Sequence, residues 1–329
     1  MRVDQFAEQS VIGGLLLEPE RFDDVREWLE VDDFSGFREA QAYQAMLALA
    51  ASNQAITPDA VNRQLLDLSD RRPNSADAPF LVSCMSTCPV AARTAVYGRM
   101  ILETSIRRRV SEQATGLRHR AEQAVTSTDL NLVFARVDAV RRDVERLHLR
   151  EARADGVASP SPLNVDKLAP LPVPDGRRDA TAERTAVMAL VHQPRSLARV
   201  SKWLTASDFS DPECAVVYRE LLHMGRQGKP IDALTVAWRI HQTDVRGPVS
   251  EALMGPPSAA TLTRPDATRA ARAVLEGSVR GSIIDTARAL EETNEGVTSE
   301  RDATGEAYAR LNSLWPNQRR LIRAGMSSA

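Results

Sequence analysis

Apolar residues recur at helical spacing along most of the chain, and no alternating run is long enough for a sheet. Phe6, Ile12, Leu15 and Leu16 mark one amphipathic segment. Phe22, Val25, Trp28 and Leu29 follow the i, i+3, i+6, i+7 spacing of a second, separated from the first by Pro19. Tyr43, Met46, Leu47 and Ala50 form a third stripe. Thr57-Pro58 opens a fourth segment, where the hydroxyl can cap free amides and the proline occupies the first helical position, with Val61 and Leu65 facing inward. The pattern predicts an all-α module.

That module is written twice. Ala7-Glu8, Pro19, Val25, Trp28-Leu29, Asp33-Phe34-Ser35, Ala40, Tyr43, Leu47 and Ile56 return, 175 positions later and without a gap, as Ala182-Glu183, Pro194, Val200, Trp203-Leu204, Asp208-Phe209-Ser210, Ala215, Tyr218, Leu222 and Ile231. In the second copy Asp232 takes the capping place, and Val236 and Ile240 form the buried pair.

Behind each copy run longer, more polar helices, expected at residues 94–117 and 129–147 in the first half and 266–292 and 301–314 in the second, each pair forming a hairpin. Leu130, Val133, Val137, Val140, Val144 and Leu147 are spaced 3, 4, 3, 4, 3, the seam of a coiled coil, and a seam needs a partner. The preceding helix offers Val96, Met100, Ile101, Ile106 and Val110, interrupted by Arg107, Arg108 and Arg109. Leu275, Val279, Ile283, Ala287 and Leu290 make a comparable stripe, a possible mate within the same chain. Residues 151–180 carry Pro160, Pro162, Pro170, Pro172 and Pro174 without an apolar period, which predicts an extended spacer. The expected organisation is a module with hairpin over 1–150, a linker over 151–180, a second, diverged module with hairpin over 181–315 and a tail over 316–329.

Composition narrows the chemistry. With 43% hydrophobic and 26% charged residues the 329-residue chain is of the soluble globular class, and a net charge of −2 predicts no general affinity for phosphate backbones. Nucleic acid would have to meet a local patch. No signal-like start and no run of about 18 apolar residues is present, so a cytoplasmic location is expected. Cys84, Cys88 and Cys214 are too scattered for a disulfide framework, and no histidine stands at ligand spacing from them, so neither metal nor cofactor is expected.

No side-chain constellation suggests catalysis. Asp23-Asp24 and Asp32-Asp33 are adjacent pairs, whose carboxylates diverge, and they suit helix ends better than a shared substrate atom. Trp28, Phe34, Tyr43, Trp203, Phe209 and Tyr218 lie on the apolar stripes or at their corners and are read as core. Arg107-Arg108-Arg109, with Arg93 and Arg99 nearby, could contact phosphates; the alternative is a solvated helix face in a chain where all but three of the 42 basic residues are arginine.

The run Glu8-Gln9-Ser10-Val11-Ile12-Gly13-Gly14-Leu15-Leu16-Leu17, then Val25, Leu29, Asp33-Phe34, Tyr43-Gln44-Ala45-Met46 and Ile56, resembles the amino-terminal domain of DnaB-type bacterial replicative helicases. Ala78-Pro79-Phe80-Leu81 and Pro89-Val90-Ala91-Ala92 are similar to the end of that domain, and Asp232-Ala233-Leu234-Thr235-Val236 resembles another of its segments. Departures exist. Where the family has an aromatic after Asp-Phe and a histidine further on, this chain has Ser35 or Ser210, and Glu39 or Cys214; Met188-Ala189 replaces Gly13-Gly14 in the second copy.

The family's motor needs a Gly-x-x-x-x-Gly-Lys-Ser/Thr loop whose amides cradle phosphates. The three lysines are Lys167, Lys202 and Lys229, and none lies in that context. The resemblance therefore implies a non-enzymatic interaction and assembly protein of DNA replication, whose modules pair through hairpins and form a collar contacting helicase, primase or loader. Three doubled chains would supply six modules. The alternative is a DNA-binding or regulatory protein that uses the arginine-rich helix. No small-molecule substrate and no membrane partner is implied.

Overall fold

The computed structural model describes residues 3–68, 75–157, 160–163, 179–242, 249, 251–252, 266–295 and 303–326, and no strand occurs among them. The first half runs through α1 (Val3–Leu17), α2 (Phe37–Ala51), α3 (Pro58–Leu68), α4 (Ala78–Thr87), α5 (Thr94–Gln123) and α6 (Ser127–Ala154). Local chemistry places the starts. Thr57 Oγ1 accepts from the Ala60 amide at 3.2 Å before α3, and Asp77 accepts from Phe80 at 3.0 Å before α4. Before α6, the Thr126 amide donates to the Asp129 carboxylate at 2.8 Å while the Asp129 amide donates to Thr126 Oγ1 at 3.2 Å.

One expected helix is different in kind. Phe22, Val25, Trp28 and Leu29 are all buried, but they sit on a 3₁₀ helix, Pro19–Asp24, and the turns after it. The spacing 22, 25, 28 matches three residues per turn as well as it matches an α-helix, and a short proline-started segment favours the tighter winding. Phe6, expected on the inner stripe, is exposed.

The second half repeats the plan with α7 (Ala180–His192), the one-turn α8 (Leu197–Val200), α9 (Pro212–Arg226) and α10 (Ala233–His241), followed by α11 (Ala267–Glu295), α12 (Ala303–Asn312) and α13 (Trp315–Arg323). Asp232 caps α10 by accepting from Thr235 at 2.9 Å. Residues 316–329 are more than a tail, because α13 occupies most of them and buries Leu321. Most of the proline-rich segment, including Pro170, Pro172 and Pro174, lies outside the described residues.

The chain condenses into two compact units whose boundaries cut across the two sequence halves. The first comprises Met1–Gln113, Val140–Lys167 and Glu291–Ala309; the second comprises Ala114–Ala139, Leu168–Leu290 and Arg310–Ala329. Each therefore holds segments from both halves.

Within the first unit α1 packs against α4, and two glycines set the approach. A Cβ on Gly13 would stand 2.0 Å from the Cys84 carbonyl oxygen, and one on Gly14 would stand 2.1 Å from Thr94 Oγ1. The core of each copy has the same centre. Phe34 and Tyr43 rings lie 5.0 Å apart and Phe209 and Tyr218 rings 5.1 Å apart, both tilted by 36°. The Tyr43 hydroxyl donates to Leu29 O at 3.2 Å and the Tyr218 hydroxyl to Leu204 O at 3.1 Å.

Candidate interaction site

A polar corner follows the buried tryptophan in each copy. In the first unit, Asp33 ends a 3₁₀ turn, Val31–Asp33, and folds back to accept from the Glu30 amide at 2.7 Å. Its side chain is fully buried. Ser105 Oγ of α5 donates to its other oxygen at 2.7 Å, and Arg150 of α6 pairs with it while also donating to Trp28 O at 2.8 Å. A carboxylate can be buried in this setting because both of its oxygens have hydrogen-bond donors.

The second unit builds the same corner. Asp208 accepts from the Thr205 amide at 2.7 Å and from Ser278 Oγ at 2.7 Å, and it pairs with Arg320, whose Nε donates to Trp203 O at 2.8 Å. A second repeated element ties the corner to the first helix of each copy. Glu8 accepts from Ser35 N at 2.8 Å and Gly36 N at 2.9 Å; Glu183 accepts from Ser210 N at 2.9 Å and Asp211 N at 2.8 Å. Ser35 and Ser210 serve this clamp twice, each also donating its hydroxyl to the same glutamate.

Ser105, Arg150, Ser278 and Arg320 escaped the sequence reading. The partners of Asp208 do not stand 175 positions beyond those of Asp33, because the segments between them differ in length, so a gap-free comparison passes over them.

Two of the five arginines considered for phosphate contact are turned to this corner. Arg108 donates to Asp32 O at 2.8 Å, and Arg109 lies 3.5 Å from Asp33 and 3.6 Å from Glu30. Arg99 pairs with Asp155, Arg107 is half-buried and engaged, and Arg93 is exposed. Trp28, Phe34, Tyr43, Trp203, Phe209 and Tyr218 are all buried. Burial raises the Tyr43 and Tyr218 phenols, and the neighbouring Asp33 and Asp208 carboxylates add to the rise.

The hairpin residues divide between the units. Leu130, Val133 and Val137 are buried and belong to the second unit, as do Leu275, Val279, Ile283 and Leu290; Val140, Val144 and Leu147 are buried and belong to the first. In the second unit Arg280 donates to Ala124 O at 2.8 Å and Asn131 to Met326 O at 3.3 Å. In the first, Thr304 Oγ1 donates to Glu151 at 3.1 Å and lies 3.3 Å from His148 Nδ1. Val96 and Met100, offered by the sequence as part of the same seam, are exposed.

The second unit also carries an open apolar cavity of about 410 Å3 between α9 and α10, lined by Met224, Lys229, Pro230, Leu234, Thr235, Trp238 and Arg239. Leu234 is 78% exposed and Trp238 67%. Their counterparts in the first copy are Asp59 and Arg63, so the fold does not need apolar residues there. Among the described residues no cluster of His, Cys, Asp and Glu could hold a metal ion, and no helix is long and apolar enough to cross a membrane. The three cysteines are free; burial pushes Cys84 up to about 12 and also raises Cys88 and Cys214.

A duplicated all-helical module, held at a buried aspartate–arginine corner and lacking a phosphate loop in its sequence, is the class that fold and site define. The sequence pattern of the DnaB-like helicase N terminal domain matches residues 1–103 and 177–276, more than half of the chain, and the chain belongs to that family. The replicative DNA helicase DnaB of Mycobacterium leprae is 31% identical over 151 residues, covering 45% of this chain and 24% of that helicase. The replicative DNA helicase DnaC of Bacillus subtilis is 29% identical over 109 residues, again 24% of its length. The chain thus spans about a quarter of the length of these relatives, as the 24% shares show. A crystal structure of the N-terminal domain of DnaB helicase from Mycobacterium tuberculosis is 29% identical, with 40% of this chain and 95% of that one covered and a TM-score of 0.36. The family match falls on the helicase's amino-terminal domain and links the chain to DNA replication.

Proposed function

We propose that the chain is a non-enzymatic assembly module of DNA replication that engages a replicative helicase, primase or loader and self-associates through its hairpins. One observation carries the reading: at four positions lining the α9–α10 cavity the second copy has Lys229, Leu234, Trp238 and Arg239 where the first has Gln54, Asp59, Arg63 and Gln64. Two copies of one fold have diverged on a surface, and the change exposes an aromatic and an aliphatic side chain side by side. Exposed apolar surface of this kind marks protein contact. The same family membership and the absence of a phosphate-loop lysine support a role in assembly rather than in nucleotide turnover.

The test is a pull-down with purified helicase, primase and loader from the native organism, using the wild-type chain and Leu234→Asp/Trp238→Arg, which restores the first copy's residues. Capture of one of the three by wild type and at least tenfold weaker capture by the variant is the expected result. Failure of all three to bind, or unwinding of a fork by the purified chain, overturns the reading.

A further inference from the structure

The same stretch of the two copies carries opposite charge. Residues 18–32 contain seven carboxylates and two arginines, whereas the equivalent 193–207 contain Arg195, Arg199 and Lys202 and no acid. Both stretches hold the same buried tryptophan and both run directly into a capped aspartate, Asp33 or Asp208, so the fold tolerates either sign. The basic version is not isolated. Arg199 and Lys202 meet Arg323 of α13 around an open cavity of about 620 Å3 floored by Trp203. None of the three cations is paired with a carboxylate among the described residues. Arg320, one turn before Arg323, is committed to Asp208 and holds α13 in place.

Helix α13 extends the patch. Arg319 lies 5.8 Å over the ring of Trp315, itself 42% exposed, and Trp315, Arg319 and Arg323 follow one another at i+4 along one face. No acidic side chain occurs after Glu306. Unpaired guanidinium forks beside an exposed indole are the surface that meets a phosphodiester chain and stacks its bases.

We infer that Arg199, Lys202, Arg319 and Arg323, with Trp315, form a binding face for single-stranded nucleic acid on the second unit. The obvious competitor is the acidic stretch of another copy of this chain. Four of its seven carboxylates are already engaged, Glu18 and Asp24 with Arg21, Asp23 with Arg26, and Glu30 with Arg150. A nucleic-acid backbone, with no internal partners to release, suits the cations better. The overall charge of −2 does not oppose this, because binding needs only a local field.

The test is fluorescence anisotropy of the full chain with a labelled single-stranded 20-mer and with its duplex, titrated in salt. The decisive variant is Arg199→Asp/Lys202→Glu, which installs the residues found at Asp24 and Glu27 and so is compatible with the local fold. Wild type should bind the single strand with an affinity that falls steeply with salt, the logarithmic slope being about −0.7 per phosphate contact. The variant should lose roughly tenfold or more at low salt, with a shallower slope, while Arg93→Ala binds as wild type. Trp315→Ala should weaken the single strand several-fold and leave the duplex unchanged. Wild-type affinity in the double variant, no binding by wild type at low salt, or a duplex preference that survives Trp315→Ala overturns the assignment. So does a variant that changes oligomeric state in light scattering but not nucleic-acid affinity, which would give the face to another copy of the chain.

Discussion

At the scale of single residues, the buried corner sets the strongest expectations. Arg150→Ala leaves the buried Asp33 short of its ion-pair partner, which costs about 3–5 kcal/mol in urea unfolding. A loss under about 1 kcal/mol would show that the pair is not what holds the corner. The corresponding Arg320→Ala should cost less, because the Arg320 side chain is 20% exposed against 5% for Arg150. Phe34→Ala and Phe209→Ala should each cost about 3–5 kcal/mol. Cys84 supplies a pH dependence with a defined sign. Its thiol is held neutral by burial, so its contribution to stability is complete below the ordinary thiol range and is lost as pH climbs toward about 12. In the native protein at pH 8 a maleimide should label Cys88 before Cys84 or Cys214, and in denaturant all three; equal native rates would contradict the burial. The buried aromatics could be read from the chain because their spacing carries the information. Ser105 and Arg150 could not, since a polar residue on a helix looks the same whether it faces water or a carboxylate 72 or 117 positions away.

At the scale of elements, the capping signals Thr57-Pro58 and Asp232 mark helix starts correctly because their partners are three residues away. The long helices were expected at 94–117 and 129–147, and α5 and α6 run further, to Gln123 and Ala154, since polar turns near a helix end carry little periodicity. The α1–α4 contact yields an element-level prediction. Gly13→Ala pushes a methyl into the Cys84 carbonyl and should destabilise by about 1–3 kcal/mol, seen as a drop of several degrees in melting temperature. An unchanged melting temperature would mean the helices can separate without loss. The second copy has Met188 at this position, and the segment that would correspond to α4 falls largely outside the described residues.

At the scale of the whole molecule, the division into units bears on assembly. Because each unit contains segments from both sequence halves, cutting the chain should not release the halves. With a protease site inserted in the proline-rich stretch, the cleaved fragments are expected to co-elute in size-exclusion chromatography; separate elution would refute the interleaving. Light scattering on the intact chain tests the three-chain form expected from six modules, and a concentration-independent monomer would exclude it.

The sequence by itself determined the helical class, the duplication, the core aromatics and the missing phosphate loop, because each of these is written in local spacing or in residue identity. Tertiary structure alone decided which polar residues meet at the two aspartates, which arginines are spent on the fold and which remain open to a partner, and how the hairpin segments divide between the units. Those outcomes depend on contacts between residues far apart in the chain, where a side chain's role is set by what folding brings against it.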